Sequence, residues 1–493
     1  MLLTDSDLYL QNHMKTILII ARRTWKTAFS SKATLILTLI LGLALCLATF
    51  IGWQNFKTQN SQRLKYKELV REKWLAKPDK HPHRMAHYGY LAFRDKHELS
   101  FFDFGIESFA GVSIFLEAHK QNTVNFSEAG FSNGMLRFGE MSVAMVLQLL
   151  VPLLIFFLGY SSISAERETG TLKILLCQGL SWRQLLTGKT LGIIAVSFSL
   201  FIPVILLTIL LWAVLSNWQI SMDASLRLSL LILSYAVYFI ICAGIAVLVS
   251  AFHQSSKSAL TTLVVFWVFF AIVMPRMTQA LGVILYPSPS KIEFNAAIAA
   301  DLRKQGDSHD PDDPHYAQLK ATLLNKYKVD DVKKLPFNYG GYVMAEGEKI
   351  SAGIYNRHQR ELNKTFEQQN RFTVAASYLN PFLAIKNLSM ALTAADFKTY
   401  VDFQDQAEAY RYGLAQRMNK LQIEKISNNA PGEKEAPLSI SRRNWEEQPD
   451  FQYTFRPVSN VISNHTGSIF SLFCWFSGVL ILLNFSSGRI KTL

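Results

Sequence analysis

Residues 164–189 read SAERETGTLKILLCQGLSWRQLLTGK and lie between two apolar runs, Met141 to Ile163 and Thr190 to Trp212. Each run is long enough to cross roughly 30 Å of hydrocarbon. The stretch between them carries Glu166, Arg167, Glu168, Lys173, Arg183 and Lys189. Charge at that density does not reside in lipid, so the segment sits in water at one face of a bilayer. Leu172, Leu175 and Leu176 recur at helical spacing with polar neighbours opposite, which predicts a short amphipathic helix along the membrane surface over Glu166 to Gln178. A helix of that kind is a docking surface for a soluble partner.

The rest of the chain agrees with a membrane setting. Of 493 residues, 50% are hydrophobic and only 18% charged, where a soluble protein carries about a quarter charged residues. The formal net charge of +13 is explained by cations gathering at the cytoplasmic ends of spans, so no nucleic-acid partner is expected. Cys46, Cys242 and Cys474 fall in apolar runs and Cys177 in the charged stretch. No disulfide framework is implied, and any outer domain is held by packing.

Taken in order, residues 1–32 form a basic N-terminal segment in which Lys15, Arg22, Arg23, Lys26 and Lys32 precede the first apolar run. It is expected to rest on the cytoplasmic leaflet and to hold the N-terminus inside. Residues 33–53 form the first span; Leu43-Ala44-Leu45-Cys46 resembles a lipoprotein cleavage box, but the apolar run continues past it and Leu45 is bulky, so the span is an uncleaved anchor. Residues 57–140 are a first extracytoplasmic domain beginning with a helix through Leu64, Leu69 and Val70. Spans follow at 141–163, 190–212, 228–251 and 259–274, with His253 and Lys257 at an inner turn and the fifth span stopped by Pro275-Arg276. Met277 to Tyr286 is apolar but too short to cross, and reads as an interfacial or re-entrant helix, or as a span end with a snorkelling arginine.

Residues 288–465 form a second, larger extracytoplasmic domain. Within it, Asp310-Pro311-Asp312-Asp313-Pro314 is a turn and Asn428 to Pro449 a loop, while Met344 to Ser377 and Ala394 to Ile426 are long helices separated by Asn380-Pro381. Ile350, Ile354, Leu362 and Phe366 make one stripe. The sixth span, 466–487, leaves a tail, 488–493, with Arg489 and Lys491 inside. The expected fold is an all-α polytopic membrane protein with six transmembrane helices and two mainly helical extracytoplasmic domains.

Glu166-Arg167-Glu168, Gly170-Thr171-Leu172, the Leu-Leu pair and Gly188-Lys189 ahead of the next span resemble the cytoplasmic coupling segment of ABC-2-type (exporter-type) ABC transporter permeases. Gln369-Asn370-Arg371, Asn380-Pro381-Phe382, Ala394-Ala395-Asp396 and Ala407-Glu408-Ala409-Tyr410-Arg411 look like the outer domain of a bacterial subgroup with two large outer insertions, so the resemblance covers nearly the whole chain. It implies a permease subunit in the inner membrane with both termini cytoplasmic. It further implies a separate ATPase subunit holding ATP-Mg, a second permease chain, and no cofactor in this chain. On this resemblance Glu166, Arg167, Glu168, Gly170, Thr171 and Leu172 are the coupling residues. Glu166 and Glu168 would meet basic groups on the ATPase or cap the coupling helix, Arg167 would answer an acidic site, and Gly170 would allow close backbone approach.

Other motifs carry less. Gly188-Lys189-Thr190 looks like the end of a phosphate-binding loop, but Arg183 stands where the loop needs glycine and Thr190 runs into a span, so nucleotide belongs on another chain. His81, His83, Met85 and His87 alternate onto one face if extended, an imidazole and thioether set suited to copper(I) or zinc, with His97 and His119 as extra ligands; Lys80 and Arg84 oppose a cation, and polar surface is the plainer account. No metal site is assigned. No HExxH signature or nucleophilic triad is present, so the chain is not read as an enzyme. Gln148 and Arg276 are candidate pathway residues or helix-packing groups, and Trp53 and Trp212 are interface anchors. A second functional class stays open, in which the outer domains remodel, or deliver metal to, an extracytoplasmic protein partner; a membrane-anchored enzyme is the third.

Overall fold

Among the described residues, six helices are long and apolar enough to cross a membrane. The computed structural model describes residues 5–124, 141–308, 310, 313–428 and 438–486. The expected Asp310 to Pro314 turn, much of the Asn428 to Pro449 loop, the end of the first insertion and the 488–493 tail lie wholly or partly outside them. The six spans are α2 (Lys32–Leu75), α4 (Val143–Glu168), α6 (Trp182–Leu215), α7 (Met222–Phe252), α8 (Ser256–Leu285) and α15 (Thr466–Ser486). Residues 164–189 form an elbow at one end of this bundle. The opposite end is the domain end.

Before the spans comes α1 (Asp5–Ser30), which packs along the start of α6. A Cβ at Gly188 would lie 2.7 Å from Ile20, and one at Gly192 would lie 2.5 Å from Thr24. The glycine that imitates a phosphate loop therefore serves close helix packing. Exposed Met14, Leu18, Ile19 and Trp25 stand on the same helix as exposed Arg22, Arg23 and Lys26.

Two spans contain a widened π-turn just ahead of a proline. In α4, residues Val146–Leu150 form the turn and Pro152 follows; in α8, Phe269–Val273 form it and Pro275 follows. A proline lacks the N–H its helix position requires and crowds the preceding carbonyls, so carbonyl oxygens are released for other partners. The Gln148 carbonyl accepts from the Tyr238 hydroxyl at 3.1 Å, and the Phe270 carbonyl accepts from Asn380 Nδ2 at 2.7 Å. This corrects the expected break at Pro275-Arg276. The released carbonyl is satisfied, and α8 runs on as one helix to Leu285 instead of yielding a separate short helix at 277–286.

The first span and the helix after it are also one element, the 44-residue α2. Its far end does not turn Leu64 and Leu69 inward, since they are 52% and 38% exposed. It instead buries Trp74, whose indole N–H donates to the Trp445 carbonyl at 3.0 Å. Trp445 belongs to the second insertion. Trp74, Met85, Tyr90, Ile114 and Leu116 share one core with Phe403, Ala407, Leu414, Met418, Trp445 and Phe451. The two insertions therefore form a single domain where the sequence suggested two.

That domain holds α3 (Pro82–Tyr88), an antiparallel hairpin of β1 (Tyr90–Phe93) and β2 (Ser113–Leu116), α9 (Lys291–Gln305), α10 (Pro314–Tyr327), α11 (Tyr339–Ser377), α12 (Pro381–Leu392) and α13 (Phe397–Lys425). The long α11 and α13 match the expected pair. The hairpin is an addition to the all-α expectation. α12 is the other: too short to span, it buries Ala384, Ile385, Leu388 and Leu392 in the same core as the spans. Asn380 caps it through Oδ1, which accepts from the Phe382 N–H at 3.0 Å. α14 (Val458–Asn464) then leads into α15.

Candidate functional site

The elbow begins where α4 loosens at residues 160–163 and rewinds as Ser164–Glu168. The Ser250 hydroxyl of α7 accepts from the Ile163 and Ser164 N–H groups at 3.0 and 3.1 Å, replacing bonds lost at the loosened turn. The chain then reverses at Gly170, which has φ +77, a conformation that favours glycine, and no atom lies within 4 Å of the Cβ it lacks. The glycine is needed for the turn; nothing within the chain approaches it. α5 (Thr171–Cys177) follows, then Gly179, then a capping box in which Ser181 and Gln184 exchange bonds to start α6.

The expected single helix from Glu166 to Gln178 is thus two short helices about a glycine. Its apolar stripe faces inward, with Leu172 buried and Leu175 and Leu176 half-buried. Thr171, Lys173, Ile174, Cys177 and Gln178 remain exposed, Ile174 by 58%.

The three charges of Glu166-Arg167-Glu168 have partners in the chain. Glu166 pairs with Lys189 of α6 at 2.5 Å. Arg167 donates to the Ala251 carbonyl at 2.8 Å and to the His253 carbonyl, both at the end of α7. Glu168 accepts from the N–H and hydroxyl of Ser256, each at 2.8 Å, and so caps the first turn of α8. The acidic pair therefore does not cap the coupling helix itself. Three successive side chains tie the end of α4 to α6, α7 and α8. Sequence reading located them but not their pairings: Lys189 stands in the same stretch, while Ser256 and the α7 carbonyls lie 84–88 residues away and carry no local signal.

Residues 112–292 match the family described as ABC-2 family transporter protein, and residues 291–454 match a domain of unknown function, DUF3526. The membrane region of the chain is that of an ABC-2 transporter permease. A search of curated proteins finds no match. The two matched regions meet at the Ser290–Glu293 capping box that starts α9, directly beyond the fifth span. Members of this family are membrane components that work with an ABC ATPase.

The permease does not bring its two candidate pathway residues together. Gln148 is buried and donates to the Tyr235 hydroxyl at 2.8 Å; Tyr235 is 3.0 Å from Ser389 of α12, whose hydroxyl donates to Asp103 at 2.5 Å. Gln148 thus joins a polar chain through spans and domain. Arg276 is exposed on α8. Burial pushes the Asp103 carboxyl above its ordinary range, opposed by the Ser389 hydroxyl and the Gly105 N–H. Arg227, unremarked as a site from sequence, is 1% exposed; it pairs with Asp223 at 2.6 Å and donates to the Arg456 carbonyl. Asp223 also accepts from the Val458 N–H at 2.6 Å, which fastens α7 to the domain end of the last span.

The histidine set changes membership. His81 to His87 is not extended but enters the helix α3, with His81 as its N-cap accepting from the His83 N–H at 3.2 Å. Met85 is fully buried, so no thioether is offered. His83, His87 and His119 place one ring nitrogen each within 4.8 Å of one another. His97 lies elsewhere, buried, with its pKa lowered to about 3 by desolvation and then by the nearby Arg227.

Proposed function

We propose that this permease is the membrane subunit of an ATP-driven exporter in a bacterial inner membrane, powered by a separate ATPase that holds ATP-Mg below the elbow. The observation that carries the proposal is the elbow's construction. α5 offers Thr171, Lys173, Ile174 and Cys177 to solvent, while Glu166, Arg167 and Glu168 behind it grip α6, α7 and α8. A push on α5 therefore reaches four spans at once. Coupling requires only that ATP-bound and ATP-free partners favour different packings of those spans. In this account the coupling set divides: α5 touches the ATPase, and the charged triplet transmits.

A second permease chain completes the transporter. α7 is mostly buried within the chain, whereas α8 leaves most of its apolar surface uncovered. The open face of α8, with Val265, Phe269, Ile272 and Met277, supports pairing with another chain there. With both termini on the ATPase side, the fused domain projects from the opposite face of the membrane.

Replacing Lys173 with Glu together with Ile174 with Asp tests the proposal. The ATPase should no longer co-purify with the permease, while the permease still inserts and elutes as before. Undiminished co-purification and ATPase stimulation would remove the assignment.

A mechanical output is favoured by α2, which at 1.5 Å per residue reaches about 66 Å from the elbow end of the membrane to the Trp74–Trp445 contact. A continuous rod from bilayer to domain core suits the remodelling of a protein on the domain side. A stable complex with such a protein, unaffected by blocking solute passage, is the result expected on that reading.

A further inference from the structure

The fused domain contains a cluster that the transporter reading leaves unused. Burial of Met85 at 0% exposure sets the rotation of α3, and at 3.6 residues per turn this directs His83 and His87, four apart, away from the core and side by side. Their Nε2 atoms are 3.2 Å apart. Two nitrogens bound to one tetrahedral zinc at about 2.0–2.1 Å stand about 3.3 Å apart, so the two rings, here hydrogen-bonded to each other, already stand at about the separation a shared ion would set.

The third imidazole comes from the turn after β2. His119 has φ +62, an uncommon conformation for a residue with a side chain. Its ring centroid lies 5.6 Å from that of His83 and 5.2 Å from that of His87. Glu348 of α11 holds it from behind: one carboxylate oxygen is 3.2 Å from His119 Nδ1 and also accepts the His119 N–H at 2.8 Å. Glu348 is fully buried and is fixed in turn by Arg411 at 2.7 Å, which Glu408 also grips at 2.7 Å. With Nδ1 given to a carboxylate, Nε2 is the atom His119 presents. This carboxylate–histidine arrangement orients a ligand and raises its basicity at metal sites.

We propose that His83, His87 and His119 bind one zinc ion through three imidazole nitrogens, with Glu348 as the positioning residue and the fourth position open to water or to a donor from a partner. Three nitrogen donors without thioether or thiolate suit zinc better than copper(I) or an oxygen-seeking cation. Of the flanking cations, Lys80 places its ammonium 5.9 Å from the Tyr88 ring, and Arg84 is exposed. The site joins the first insertion, through α3 and the hairpin, to α11 and α13 of the second.

The test uses the full chain in detergent, carrying no histidine tag, stripped of metal and titrated with zinc chloride. One equivalent should bind, and cobalt(II) in its place should give the visible absorption of a tetrahedral nitrogen site. The pair His83→Gln and His87→Gln should weaken binding at least 100-fold. Glu348→Gln should keep the stoichiometry and weaken affinity about 10- to 100-fold. Zinc should also protect histidines of the unsubstituted chain from diethyl pyrocarbonate, a readout that holds if a variant fails to fold. Binding of less than a tenth of an equivalent, unchanged affinity in the double variant, or no protection would overturn the site.

Discussion

The two ends of the bundle use the same chemistry to opposite effect. At the elbow, Glu166, Arg167 and Glu168 make short charged bonds, but Glu166 and Arg167 are half-buried and Glu168 is exposed. At the domain end, Arg227 is 1% exposed, Arg411 2% and Glu348 0%. A charge-assisted bond in contact with water can be remade at little net cost, whereas a buried one cannot be opened without stranding a charge. The difference makes the elbow the adjustable end and the domain the fixed one. It also suits a device in which a push enters at the elbow and leaves through a stiff body.

The largest expected effect is at the fixed end. Arg411→Ala removes the cation shared by two buried carboxylates, leaving Glu408 unpaired and Glu348 with His119 alone, and should cost about 3–5 kcal/mol in denaturant unfolding of the detergent-solubilised chain. A cost below about 1 kcal/mol would erase the contrast between the ends.

Acid probes the same end. His97 in the folded chain has its pKa lowered to about 3, against an ordinary value near 6.5. Between those values the unfolded chain binds a proton that the folded chain refuses, so stability falls as pH drops, by up to about 1.4 kcal/mol per pH unit. Glu348, with its pKa lowered to about 2 through the His119 and Arg411 contacts that outweigh its desolvation, adds loss of the same sign below about pH 4.5. His97→Gln should flatten the upper part of the profile, measured as melting temperature against pH.

At the elbow the expected costs are smaller and the functional consequence larger. Arg167→Ala leaves the Ala251 and His253 carbonyls without their donor and should cost about 1–3 kcal/mol. ATPase stimulation by the permease should fall further than that loss explains. Glu166→Gln weakens one half-exposed pair and should change stability by about 0.2–1 kcal/mol, diminishing in high salt. If Arg167→Ala leaves stimulation intact, the triplet is structural and does not transmit.

Much of this was legible in residues whose signal is local. Spans follow from runs of apolar side chains, and the elbow from charge confined between two of them. The inward stripe Leu172, Leu175 and Leu176 was readable by helical spacing alone. What escaped depends on distant partners. Pro275 looked like a stop because the Asn380 amide that occupies the Phe270 carbonyl lies 110 residues on. The insertions looked separate because Trp74 and Trp445 are 371 residues apart. α12 was missed because its 12 residues are too few to span and its burial is set by the helices around it. Met85 seemed a ligand under an extended reading, and helical rotation withdrew it.

The central claim is that the elbow faces the cytoplasm, where an ATPase can reach it. Cys177 is a natural reporter, exposed on α5, and the remaining cysteines, Cys46, Cys242 and Cys474, lie in spans and can be replaced by serine. A membrane-impermeant maleimide should label Cys177 in inside-out vesicles and leave it untouched in intact cells. Labelling in intact cells would put the elbow on the wrong side of the membrane and contradict the account.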